Sequence, residues 1–246
     1  MMMTTNTGGQ KYMEEFARAE LLWGQEALEK LRRAHVAVFG VGGVGAACCE
    51  ALCRGGVGRF TLFDPDAVSL SNINRQFVAL HSTLGQNKAE VMRQRMLDIY
   101  PEVQVQVCPV FYSAENAGQY PLDGYDFVVD CIDTVASKLL LIETAHRQQV
   151  PIISALGAGN KEDPTLFRVA DIYDTKVCPL ARALRSKLKK MGINRHLCVY
   201  SQEEPLTLRE QLAENGRHLP GSLSFVPPVM GMILAGEVLK RLAGRG

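Results

Sequence analysis

No two of the seven cysteines stand as a C-x-x-C pair, so the chain offers no thiolate knuckle and no structural zinc is expected. Cys48, Cys49, Cys53, Cys108, Cys131, Cys178 and Cys198 are odd in number and lack framework spacing, which argues against a secreted disulfide scaffold. Buried apolar roles suit most of them. No apolar run reaches the ~18 residues of a membrane span. The nearest, Phe225 to Leu239, is broken by Pro227, Pro228 and Glu237. Neither charge dominates: 27 Lys and Arg face 26 Asp and Glu. The protein as a whole is therefore no polyanion binder, and any nucleic-acid contact must come from a local patch. Internal repeats and low-complexity tracts are missing too. The stretch 1–10 is polar, lacks signal-peptide character and is expected to be disordered. A cytoplasmic protein without membrane contact is expected.

What is present is an ordinary globular composition, 47% hydrophobic and 22% charged over 246 residues. That suits a single α/β domain over 11–246. Its centre is Val36-Ala37-Val38-Phe39-Gly40-Val41-Gly42-Gly43-Val44-Gly45, followed by a helix-like Ala46 to Arg54. Gly40, Gly42 and Gly45 fit G-x-G-x-x-G, and Gly43 is an extra glycine. Glycines let the backbone approach phosphates, and the amides of a helix N-terminus face negative charge. The flanking strand and helix supply the context the motif needs. Arg59 to Phe63 returns as a second strand, ending at Asp64. A carboxylate there can accept hydrogen bonds from a ribose hydroxyl, or can simply serve the turn before Pro65.

The stretch Asp64 to Gln76 is denser in polar groups than a connector requires. Arg75 offers a planar fork for phosphate oxygens, and Asn72 and Gln76 add amide donors. Lys88 opens a helix to Ile99 after Gly85-Gln86-Asn87. A cation at a helix start is slightly unfavourable, which hints at function. Further on, Val103 to Val107, Tyr125 to Cys131, Pro151 to Ala155 and Leu166 to Ile172 read as strands, and Val135 to Gln149 as a helix. Asp133 stands where a strand meets a loop, the edge at which open α/β sheets bind ligands. It can hold Mg²⁺ against phosphates or cap the next helix; Asp130, within the strand, reads as structural. The strand–helix alternation predicts a Rossmann-like, doubly wound, mostly parallel sheet with helices on both faces. An N-terminal helical region, Lys11 to Arg33, is broken at Gly24. Arg18 on it reads as a solvated face.

From Thr175 to Gln202 the bases are Lys176, Arg182, Arg185, Lys187, Lys189, Lys190 and Arg195, with no acid among them; His196 adds a titratable group. Pro179 to Met191 reads as a basic helix, which suggests a polyanion contact or a solvated face. The whole of 175–222 reads as a basic crossover. Ser224 to Val226 reads as a strand, and Pro228 to Leu242 as an apolar helix.

Read together, G-V-G-G-V-G at 40–45, D-P-D-A-V-x-x-S-N-I-N-R-Q at 64–76, Lys88 and D-C-I-D-T at 130–134 resemble the adenylating family related to ubiquitin-activating enzymes, with MoeB, ThiF and HesA among its members. F-A-R-A-E-L-L-W-G at 16–24, K-V-C-P-L-A-R-A-L-R at 176–185 and P-G-S-L-S-F-V-P-P-V at 220–229 are most similar to the branch that dehydrates threonylcarbamoyladenosine in tRNA. The missing C-x-x-C pairs depart from zinc-bearing members. The resemblance implies an ATP site at Gly40, Gly42, Gly43, Gly45, Asp64, Asp66, Asn72 and Gln76, with Asp64 on the ribose. It implies Arg75 and Lys88 on the triphosphate and Mg²⁺ at Asp133. It also implies a homodimer in which Arg18 reaches the neighbouring subunit's site, reversing the bland reading of that arginine. The reaction implied is adenylation of the threonylcarbamoyl carboxylate, then ring closure with loss of AMP. tRNA would meet Arg182, Arg185, Lys187, Lys189, Lys190 and Arg195, and a cysteine desulfurase or sulfur-acceptor system is expected as a further partner. Cys178 and Cys198 flank the basic helix, and a thiol role there stays open beside plain packing. Two other readings stand: adenylation of the C-terminal glycine of a small ubiquitin-like sulfur carrier, and a non-catalytic nucleotide-binding scaffold.

Overall fold

Val36 and Val38 pack to one side of strand β1 (His35–Phe39), Ala37 and Phe39 to the other, and all four are buried. A strand buried on both faces belongs inside a sheet covered on both sides. The computed structural model of the chain has this arrangement and describes residues 14–210, 213–214 and 217–246. The stretch 1–10 expected to be disordered lies outside the described residues. Two short helices precede β1: α1 (Ala17–Trp23) and α2 (Gln25–Arg33), parted at Gly24 as expected. After β1 come α3 (Gly43–Arg54), β2 (Arg59–Phe63), α4 (Lys88–Ile99), β3 (Gln104–Cys108), β4 (Phe127–Asp130), α5 (Val135–Arg147) and β5 (Ile152–Ala155). The chain continues with β6 (Phe167–Asp171), α6 (Pro179–Lys190), β7 (Leu197–Ser201), the pair β8 (Ala213–Glu214) and β9 (Arg217–His218), and α7 (Val226–Leu242).

The main sheet has seven strands in the order β3-β2-β1-β4-β5-β7-β6. Every pair in it is parallel except β6 with β7. Helices α3, α4 and α7 cover one face, and α5 and α6 the other. From β1 the chain moves outward through α3 to β2, while β4 begins the other half of the sheet. The carboxyl ends of β1 and β4 therefore open a crevice between diverging connections, the place where such sheets bind ligands.

Three elements differ from expectation. Helix α3 begins at Gly43 rather than Ala46, so the last glycines of the motif form the helix's first turn. The stretch 175–222, read as a basic crossover, contains β7, a strand inside the sheet whose Cys198, Val199 and Tyr200 are buried. A five-residue strand beside a run of bases carries no clear periodic signal. Ser224 to Val226 is not a strand; Val226 starts α7, with proline in the first helical turn, where its missing N–H costs nothing.

Candidate nucleotide site

The turn after β1 is shaped by contacts that exclude side chains. Gly40 has φ +90°, and a Cβ there would stand 2.7 Å from the Cys131 carbonyl oxygen; at Gly45 a Cβ would stand 1.8 Å from the Gly40 oxygen. A side chain at either position cannot be built without moving backbone. Gly42 differs. A Cβ there would meet only the Gln76 amide, at 3.8 Å, so its lack of a side chain serves space in the cleft rather than protein packing. The open side of the turn faces a cleft of about 970 Å³, near the upper end for small-molecule sites.

Strand β2 delivers Asp64 to the cleft. Its Oδ2 accepts from the Val41 amide at 2.6 Å and its Oδ1 from the Asp66 amide at 2.9 Å, which clamps the glycine turn to the end of β2. Burial pushes this carboxyl above the usual range, against the lowering pull of the two backbone donors and of Lys88. Asn87 caps α4 by accepting from the Glu90 amide, and its Nδ2 donates to the carbonyls of Asp64 and Asp66. Lys88 is thus held against β2. It is buried, and its Nζ pairs with Asp66 Oδ2 at 2.8 Å.

Residues Leu70–Asn72 form a short 3-10 turn in which Asn72 Oδ1 accepts from the Ser69 amide. Arg75 Nη1 donates to the Ser71 carbonyl and to Asn74 Oδ1, both at 2.8 Å, which holds the guanidinium at the cleft wall. Gln76 is buried, and its Oε1 has no hydrogen-bond partner among the described residues. Such an orphaned atom is costly to maintain and fits a wall that receives a polar ligand. Asp133 lies on the opposite lip, beyond β4. It is exposed, and among the described residues its Oδ1 accepts only from the Thr134 hydroxyl, at 3.3 Å.

Gly40, Gly42, Gly43, Gly45, Asp64, Asp66, Asn72, Arg75, Gln76, Lys88 and Asp133 all line this one cleft. Arg18 does not. It is exposed on α1, beside Leu21 and Leu22, which are 87% and 77% exposed. The aromatic wall formed by the stacked pair Phe39 and Phe63, 4.1 Å apart, and by Phe111 and Tyr112 escaped sequence reading. Its only hint was position, at the carboxyl ends of β1, β2 and β3. Ser222 and Gly159 also line the cleft, joining from segments remote in sequence.

On α6 the bases separate. Arg182, Lys187, Lys189 and Lys190 are exposed. Arg185 is half-buried, its Nη1 donating to the Ile172 and Thr175 carbonyls and to Thr175 Oγ1; it anchors a turn. Arg195 is exposed and stands 3.8 Å from Asp171. His196 leaves the basic surface altogether: it is buried on the sheet, and desolvation holds its pKa down at about 3. Neither Cys178 nor Cys198 lines the cleft. Cys178 caps α6 through its Sγ, and burial pushes the Cys198 thiol up to about 12, far from the thiolate a nucleophile needs.

Known proteins resemble this chain over nearly its whole length. Residues 16–246 match the ThiF family. The tRNA threonylcarbamoyladenosine dehydratase of Bacillus subtilis is 41% identical over 241 residues, covering 94% of this chain and 95% of that protein. Crystal structures of the Escherichia coli tRNA N6-threonylcarbamoyladenosine dehydratase superpose with a TM-score of 0.86 in complex with AMP and 0.85 in complex with ATP. Their identities to this chain are 34% and 35%; the first covers 98% of both chains, the second 94% of this chain and 95% of the other. A sulfur carrier protein adenylyltransferase of Thermus thermophilus is more distant, 30% identical over 224 residues, covering 91% of this chain and 74% of that protein. The chain belongs to the ThiF family.

Proposed function

We propose that this protein is an ATP-dependent tRNA threonylcarbamoyladenosine dehydratase. The observation that carries the reading is the convergence in one cleft of the glycine turn, buried Asp64 and Lys88, Arg75, Gln76 and Asp133, on a chain 41% identical to a dehydratase of that name. The cleft suits ATP: the glycine turn admits phosphates at the start of α3, and Arg75 and Lys88 supply cations. The carboxylate of the threonylcarbamoyl group attacks the α-phosphorus, and pyrophosphate leaves. The urea group of the same side chain then closes onto the activated carbonyl, and AMP leaves. The net change in the nucleoside is loss of one water. Negative charge grows on the α-phosphoryl oxygens during attack, so Arg75 and Lys88 act there as electrostatic stabilisers. Ring closure is intramolecular and requires mainly positioning, in keeping with the lack of a nucleophile–base pair among the described residues of the cleft.

Magnesium is assigned to Asp133. Among the described residues no cluster of three or more His, Cys, Asp or Glu side chains is placed to hold a metal unaided. That suits an ion bound by one carboxylate together with phosphates and water, and such an ion would offset charge on the leaving pyrophosphate. The exposed bases of α6 and Arg195 are assigned to the tRNA backbone. Arg18, with Leu21 and Leu22 exposed on the same helix, is assigned to the neighbouring subunit's site in a homodimer. A cytoplasmic location and contact with a sulfur-transfer system complete the reading. No helix among the described residues is long and apolar enough to cross a membrane.

The deciding measurement is mass spectrometry of tRNA nucleosides after incubation with ATP and magnesium. Threonylcarbamoyladenosine is expected to become lighter by one water, with one AMP formed per event. ATP–pyrophosphate exchange that depends on a small carrier protein, and never on modified tRNA, would replace this reading with the sulfur-carrier one.

A further inference from the structure

The cleft has two unlike walls. One carries the nucleotide groups: the glycine turn, Asp64, the loop to Gln76, and Lys88. The other is built by Gly159 and by Pro220-Gly221-Ser222 and carries no cation among the described residues. Adenylation brings two reactants together, and the first wall accounts for only one of them.

Pro220-Gly221-Ser222 is held in place from both sides. On one side Asn160, in a left-handed conformation at φ 57°, makes a reciprocal pair of bonds with Gly221. The Asn160 N–H donates to the Gly221 carbonyl at 2.8 Å, and the Gly221 N–H donates to Asn160 Oδ1 at 2.7 Å. A Cβ on Gly159 would stand 2.7 Å from Pro220 Cβ, so the approach of the two loops depends on that glycine. On the other side Asn74 Nδ2 donates to the Ser222 carbonyl at 3.0 Å. Asn74 belongs to the loop that also carries Asn72, Arg75 and Gln76. The segment therefore bridges the cleft, with its placement coupled to the nucleotide loop.

Ser222 Oγ sits within this bridge, shielded from solvent and without a hydrogen-bond partner among the described residues. A buried hydroxyl with no partner lowers stability rather than raising it. The bonds that hold the bridge run through backbone atoms and the two asparagines, and none of them uses this hydroxyl. We infer that Ser222 is a substrate-orienting residue: it lines the cleft and is only half-buried, so rotation about its Cα–Cβ bond turns the hydroxyl into the cleft, where it donates to the carboxylate-bearing acyl substrate. The inference rests on the adenylating function proposed above and assigns the acyl side of that site. A neutral donor suits this role, because it aligns the carboxylate without suppressing its nucleophilicity as a cation would.

The experiment compares the parent protein with Ser222→Ala in three measurements: ATP affinity by titration, melting temperature, and dehydration of modified tRNA over a range of tRNA concentrations. Ser222→Ala is expected to bind ATP within about twofold of the parent, to melt at the same or a higher temperature, and to lose about tenfold or more in kcat/KM for tRNA. Equal kcat/KM in the two proteins overturns the inference while leaving the function intact. Parallel loss of melting temperature and ATP binding also overturns it, because that is the signature of a hydroxyl needed for the fold. A parent protein that binds ATP but never lightens the nucleoside removes the functional reading, and the inference with it.

Discussion

Asp133 and His196 show how differently a fold can use two polar residues. Asp133 is exposed and accepts one weak bond from Thr134, so the fold asks little of it. Asp133→Ala is expected to leave the thermal melt unchanged and to cut pyrophosphate release by about 10²-fold or more, the usual size of a lost transition-state contact. His196 is the reverse case. Because Ser154 Oγ donates to Asp130 Oδ2 at 2.6 Å, its lone pair receives His196 Nε2–H, and His146 approaches the other ring nitrogen at 3.4 Å. The ring is neutral in the fold, with a pKa of about 3 against 6.5 when unfolded. Below pH 6.5 the unfolded chain takes up a proton that the folded chain refuses. Stability is therefore full above that pH and lost as pH falls towards about 3, by up to ~1.4 kcal/mol per pH unit. Denaturant melts between about pH 7 and 4 measure the slope, and His196→Gln is expected to flatten it.

Among the elements, the β4–α5 unit is the costliest to disturb. Asp130 and Lys138 are both fully buried, 2.7 Å apart, with Ser154 Oγ and the Ala155 carbonyl completing the set. Asp130 Oδ1 also accepts from the Ile132 amide, so the pair shapes the lip that presents Asp133. Lys138→Met strands a buried carboxylate, and chemical denaturation is expected to show a loss of about 3–5 kcal/mol. Helix α6 is the opposite case, an element whose exposed bases can be removed without touching the core. Replacing Arg182, Lys189 and Lys190 by Ala is expected to spare the melt, weaken tRNA binding and reduce the log–log salt slope by about 2–3. Arg185 is kept out of this set because the turn at Thr175 depends on it. An unchanged slope would make α6 ordinary surface.

At the scale of the whole molecule the decisive residue is Arg18, exposed and away from its own cleft. If it serves the neighbouring subunit, Arg18→Ala and Asp133→Ala are each inactive alone. Mixing and re-equilibrating them then regains up to about a quarter of parental activity, since half the dimers are mixed and each has one intact site. No recovery on mixing, with subunit exchange verified, would place Arg18 outside the partner's site.

The glycine turn, the Asp64–Gln76 run, Lys88 and Asp133 are legible in the sequence alone, as are β1, β2, α4 and α5. Their signals are local: glycine spacing, apolar periodicity, and polar residues where strands end. β7 is not legible, because so short a strand carries too little periodicity to stand out beside a run of bases. Nor is the inward turn of Arg185 and His196, since identity alone does not tell a solvated base from a buried one. The Ser222 wall is the furthest from local reading. It exists because Asn74, Asn160 and Gly221, far apart along the chain, hydrogen-bond across the cleft. Local chemistry thus names the nucleotide side of the site, whereas the acyl side depends on contacts that form only when the sheet brings distant loops together.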